Sequence, residues 1–80
     1  MYSVVLYHPI AETYSYWKIA FSLIQLAEAI LTIDTISKAY SDNYTICILD
    51  NIDIRNLNRN QKISQCKDYL KKEEEKYGRI

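Results

Sequence analysis

One glycine (Gly78), one proline (Pro9) and one histidine (His8) stand in 80 residues. A single glycine near the end excludes a Gly-rich loop that cradles phosphate. His8 lies beside Pro9, and no local motif joins it to Cys47 or Cys66. Neither general acid–base work nor a Cys–His nucleophile is indicated. The two cysteines fit no CxxC or zinc spacing. They read as buried thiols of a reducing compartment, with a disulfide between them as the alternative. Asp50, Asn51 and Asp53 cluster but lack the glycine and the spaced acids of a calcium loop. The expectation is a protein that is not an enzyme and holds no metal or cofactor.

Long apolar runs are also missing. Residues 17–33 are the most apolar region, and Lys18, Gln25 and Glu28 interrupt them. That falls short of a membrane span, and the start lacks the basic-then-apolar pattern of a signal peptide. A cytoplasmic protein with no membrane partner is expected.

Net charge is absent too, with ten basic and ten acidic residues. A zero balance disfavours a general polyanion binder and favours self-association. The charges are nonetheless segregated. Residues 1–54 carry only Lys18 and Lys38 against six acids, whereas residues 55–80 carry eight basic residues against four acidic ones. One domain, 1–80, is expected, with an acidic ββαβ body (1–54) and a basic C-terminal helical segment (55–80).

Residues 1–8 are rich in β-branched and aromatic side chains and predict a strand that Pro9 ends. Residues 10–13 form a turn, and residues 14–21 a second strand. Ser22-Leu23-Ile24-Gln25 fits a capping box, in which the Ser hydroxyl accepts from the Gln25 N–H and the Gln side chain reaches back to the Ser N–H. A helix then runs from Leu23 to about Lys38 or Tyr40. A turn at 41–43 leads to a third strand, 44–49. Residues 50–60 are irregular, with Ile52 and Ile54 extending or capping the sheet. Residues 61–77 predict a second helix, with Gly78 as its C′ residue. The class is α+β: a small three-stranded antiparallel sheet in order 2-1-3, one helix packed on it and a second C-terminal helix.

One register sets Tyr2, Val4 and Leu6 beside Trp17, Ile19 and Phe21 as the core face. Tyr7, Tyr14, Tyr16 and Lys18 then share the opposite face. Such a face is a partner-binding surface, a solvated sheet, or the seat of the C-terminal helix. On the first helix, Gln25, Glu28, Thr32 and Thr35 form one narrow polar stripe and apolar residues fill most of the rest. Ordinary surface helices bury a narrower stripe. Ile24, Ala27 and Leu31 are therefore expected at a dimer or helix contact.

The functional expectation is a small protein-binding module, an inhibitor or adaptor that forms a homodimer. The Ile, Tyr, Asn and Lys usage suits an AT-rich genome such as that of a phage or other mobile element, which sharpens the expectation to a viral anti-defence protein. The alternative is a nucleic-acid-binding regulator that stacks bases on the tyrosines and contacts phosphates through Arg55, Arg59, Lys62 and Lys67.

Overall fold

Ser3, Val4, Val5, Leu6 and Tyr7 are all no more than 1% exposed. A strand whose successive side chains point to opposite faces can be buried this way only if both faces of its sheet are covered. The computed structural model describes residues 1–39 and 43–77 and shows how this is done. The elements are β1 (Tyr2–His8), β2 (Thr13–Ala20), α1 (Leu23–Lys38), β3 (Thr45–Asp50), a 3-10 turn at Ile54–Asn56, and α2 (Arg59–Tyr77). The strand order is β2-β1-β3, and β1 is antiparallel to both neighbours. This is the α+β arrangement expected from the sequence. Of the turn expected at 41–43 only Asn43 is among the described residues, and Gly78 lies outside them.

α1 covers one face of the sheet and α2 the other. Val4 and Leu6 pack with Ala29 and Ile33 of α1, flanked by Tyr16, Leu26, Ile30, Ile36, Tyr44 and Ile46. Val5 and Tyr7 pack with Cys47, Leu49, Ile54 and Cys66 of α2, flanked by Tyr14, Trp17, Ile19, Ile63, Tyr69 and Leu70. Each fully buried aliphatic side chain contributes about 1.5–3 kcal/mol, so neither cluster alone is large. Trp17 is half-buried and packs against the α2-side cluster.

The expected strand register is one residue out. β1 pairs Val4 with Lys18 and Val5 with Trp17, and Phe21 falls outside β2 and is 63% exposed. The expectation assumed a single core face that should gather the best hydrophobes. Two covered faces remove that pressure, since either register buries them.

Hydrogen bonds fix the helix starts. The Ser22 hydroxyl accepts from the Gln25 N–H at 3.2 Å, as expected. The Gln25 side chain reaches one residue further back than expected and accepts from the Phe21 N–H at 2.8 Å. α2 begins two residues earlier than expected because Asn58 and Gln61 form a reciprocal cap, each side-chain oxygen accepting from the other's N–H (2.9 and 3.0 Å). Ser3 anchors the segment between β3 and α2. Its hydroxyl donates to the Ile52 carbonyl and accepts from the Ile54 N–H. That places Ile54 over the α2-side core, so it caps the core rather than extending the sheet. Among the described residues, no helix is long and apolar enough to cross a membrane.

The Tyr7 hydroxyl is buried with no hydrogen-bond partner among the described residues. Burial pushes this phenol up from its ordinary pKa, with Lys67 opposing. An unpaired buried hydroxyl is a cost that phenylalanine would not carry. Tyr7→Phe is predicted to leave stability unchanged or raise it by about 1 kcal/mol in urea unfolding. A loss of stability would show that the hydroxyl has a partner.

Candidate functional site

The aromatic surface expected on the sheet is divided by a bulge. The β1–β2 register runs from Leu6 opposite Tyr16 to Tyr7 opposite Tyr14, so Ser15 is passed over. An inserted residue switches the faces of the side chains on either side of it. Tyr14 therefore joins the α2-side cluster and Tyr16 the α1-side cluster, although they are two residues apart. Tyr7 is fully buried beneath α2. Lys18 is exposed and lines an open groove of about 320 Å³ between β2 and α1, with Ile19, Phe21, Gln25, Glu28 and Ala29. The four residues Tyr7, Tyr14, Tyr16 and Lys18 do not form one face. Of the alternatives for that face, coverage by the C-terminal helix holds for Tyr7 and Tyr14.

Three of the four basic residues expected to contact phosphates, Arg55, Lys62 and Lys67, are engaged within the protein. Arg55 grips Asp53 through Nε to Oδ1 at 2.9 Å and Nη2 to Oδ2 at 2.6 Å. These hydrogen bonds hold the Asp53 carboxyl below the usual carboxylate range. Lys67 pairs with Glu12 at 2.7 Å, which raises its pKa. The Lys62 ammonium lies 5.4 Å from the Tyr14 ring centroid and 5.5 Å from that of Trp17. At this range a cation over a ring face gains about 0.5–1 kcal/mol. Arg59 is exposed at the start of α2, where the helix dipole disfavours positive charge. These residues are spread over several contacts.

His8 is placed structurally. Its Nδ1 accepts from the Ala11 N–H at 2.9 Å and its ring meets Tyr44 edge-on, with centroids 5.0 Å apart. Cys47 and Cys66 are free and buried in one cluster. A hydrogen bond with Cys66 and burial push the Cys47 thiol far above its ordinary pKa. A thiol held this way is a poor nucleophile.

The exposed apolar surface lies elsewhere. Six large hydrophobic residues are prominently exposed among the described residues, and four of them, Phe21, Leu23, Ile24 and Leu31, lie on α1 or immediately before it. Ala27 is exposed between Ile24 and Leu31. At helical spacing these residues make an outer apolar arc that adjoins the buried arc of Leu26, Ala29, Ile30 and Ile33. Glu28, Thr32 and Thr35 separate the two arcs on one side. The threonine hydroxyls donate to the Glu28 and Leu31 carbonyls at 2.9 Å. Asp34 closes the arc at its C-terminal end and pairs with Lys38 at 3.3 Å. The two-sided apolar helix was legible in the sequence, and the burial shows which side is left open.

Since Tyr14 and Tyr16 prop opposite helices, each should matter to folding. Tyr14→Ala and Tyr16→Ala are each predicted to cost about 1.5–3 kcal/mol in urea unfolding, less than a fully buried ring would. Native stability for either variant would place that ring on an open surface instead. No known protein family, curated protein or solved structure matches this chain.

Proposed function

We propose that this protein is a small protein-binding module, an inhibitor or adaptor without catalytic chemistry of its own, that docks a partner through the outer face of α1. The observation that carries this reading is the exposure of Phe21, Leu23, Ile24 and Leu31, each 63–74% open to solvent. An isolated exposed leucine needs no explanation, but a contiguous apolar arc does. Its anatomy suits a docking helix. Apolar residues recur at helical spacing, small Ala27 lets a partner approach the backbone, and Lys18, Glu28, Asp34 and Lys38 supply a charged rim. A cytoplasmic setting accords with the two free buried thiols.

The same arrangement lowers the weight of nucleic-acid binding. Base stacking needs aromatic rings presented together beside unpaired cations. Tyr7, Tyr14 and Tyr16 are instead packed under helices, while Arg55 and Lys67 have acidic partners.

The test is capture of partners from a host lysate by the native protein and by an Ile24→Glu, Leu31→Glu double variant, with and without nuclease. Both side chains point to solvent, so the double variant should keep the native melting temperature. Affinity for a protein partner should fall by at least tenfold, since one well-placed apolar contact is worth about 1–2 kcal/mol. Undiminished capture by the folded variant contradicts the reading. Capture that nuclease abolishes points to nucleic acid instead.

A further inference from the structure

We infer that the outer edge of β3 is a pairing surface for a second copy of this chain, joining two sheets into one of six strands. This goes beyond the α1 reading and does not depend on it.

The two edges of the sheet are unlike. β2 carries the Ser15 bulge and exposed Lys18, both of which discourage strand addition. β3, Thr-Ile-Cys-Ile-Leu-Asp, has no lysine, proline or bulge, and pairs with β1 from Thr45 to Asp50 without a register shift. The direction of its free backbone groups follows from one bond. The Asn51 N–H donates to the Met1 carbonyl at 2.8 Å, so Asn51 turns its amide toward β1. Alternation along the strand then turns Leu49 and Cys47 toward β1, and Asp50, Ile48 and Ile46 outward. The contact of Tyr69 of α2 with the Ile48 N–H agrees with this.

The outward edge is self-complementary. A two-fold axis normal to the sheet at Cys47 sets Ile46 opposite Ile48 of the second copy and Ile48 opposite its Ile46. Both pairs project on the α1 side, because Ile46 and Ile48 lie opposite Leu6 and Val4. Each pair exchanges both of its N–H···O bonds, since all four residues turn their backbone groups outward. On the α2 side, Thr45 falls opposite Leu49. A groove of about 210 Å³ along this edge is lined by Ile48, Asp50, Ile52, Asp68, Tyr69 and Lys72, among others. The outer arc of α1 is less suited to a second copy. Two such helices crossing antiparallel at Ala27 would bring their Glu28 carboxylates together. Net charge is zero, so long-range repulsion does not oppose the approach.

Strand addition gives the outward Ile48 N–H the Ile46 carbonyl of the second copy as its acceptor. The contact is small, so a weak, concentration-dependent dimer is expected.

The test is light scattering and sedimentation of the full chain over a concentration series. Native protein should pass from monomer to dimer. Ile48→Pro removes an outward N–H and no bond to β1, and should raise the dissociation constant at least tenfold, the equivalent of about 1.4 kcal/mol. The Ile24→Glu, Leu31→Glu double variant should dimerise like the native protein, which separates this surface from the α1 face. Hydrogen exchange on unaltered protein guards against misfolding of the proline variant. The Ile46 and Asp50 amides should exchange more slowly as concentration rises. A monomer at all concentrations overturns the proposal. So does a dimer lost with the α1 substitutions and kept by Ile48→Pro, or exchange at Ile46 and Asp50 that ignores concentration.

Discussion

Burial of β1 on both faces is the constraint from which the rest of the fold follows. A chain of this size removes only about 60–65% of its unfolded surface from water. Here much of that removal is centred on five consecutive residues, Ser3 to Tyr7. Their alternation divides the core in two, with Val4 and Leu6 under α1 and Val5 and Tyr7 under α2. Each helix therefore has a sheet face of its own. Ser3 is the polar exception, and it bonds the backbone at Ile52 and Ile54, the segment that leads the chain to α2. Without that turn, one sheet face would lie open.

The bulge at Ser15 matters next, because it decides where the aromatic residues go. Strict alternation would keep Tyr14 and Tyr16 together; the extra residue sends them to different helices. With Tyr14 and Trp17 beneath α2, Lys62 lies over their rings, and Glu12 in the β1–β2 loop reaches Lys67. The pair of Glu12 with Lys67 thus joins the acidic body to the basic tail within the molecule. What remains outside is the arc from Phe21 to Leu31 and the edge of β3. The two surfaces lie on different elements.

Much of the architecture was legible in the sequence because local signals were strong. β-branched and aromatic residues marked β1, Pro9 ended it, and Ser22 with Gln25 marked the start of α1. The strand order followed from the helix between β2 and β3. The register was not legible, since alternation specifies a face only when the other face is open, and Val4 and Val5 are equally apolar. Nor was the bulge, because Ser15 carries no glycine-like signature and the strand beyond it is still aromatic. The start of α2 could have been found: Asn58-x-x-Gln61 is a capping pattern with Asn in place of Ser or Thr. The open face of α1 was half legible. Spacing showed a helix apolar on two sides, but only the packing of Ala29 and Ile33 tells which side the sheet takes.

The most direct test of this two-faced sheet is the set of nuclear Overhauser contacts made by the Trp17 ring in solution. Trp17 shares a cluster with Val5 and lies under Lys62, so its ring protons should show contacts to the Val5 methyls and the Lys62 methylenes. Contacts from Trp17 to Ala29 and Ile33 would instead place it under α1. That result would contradict both the register and the division of the aromatic residues between the two helices.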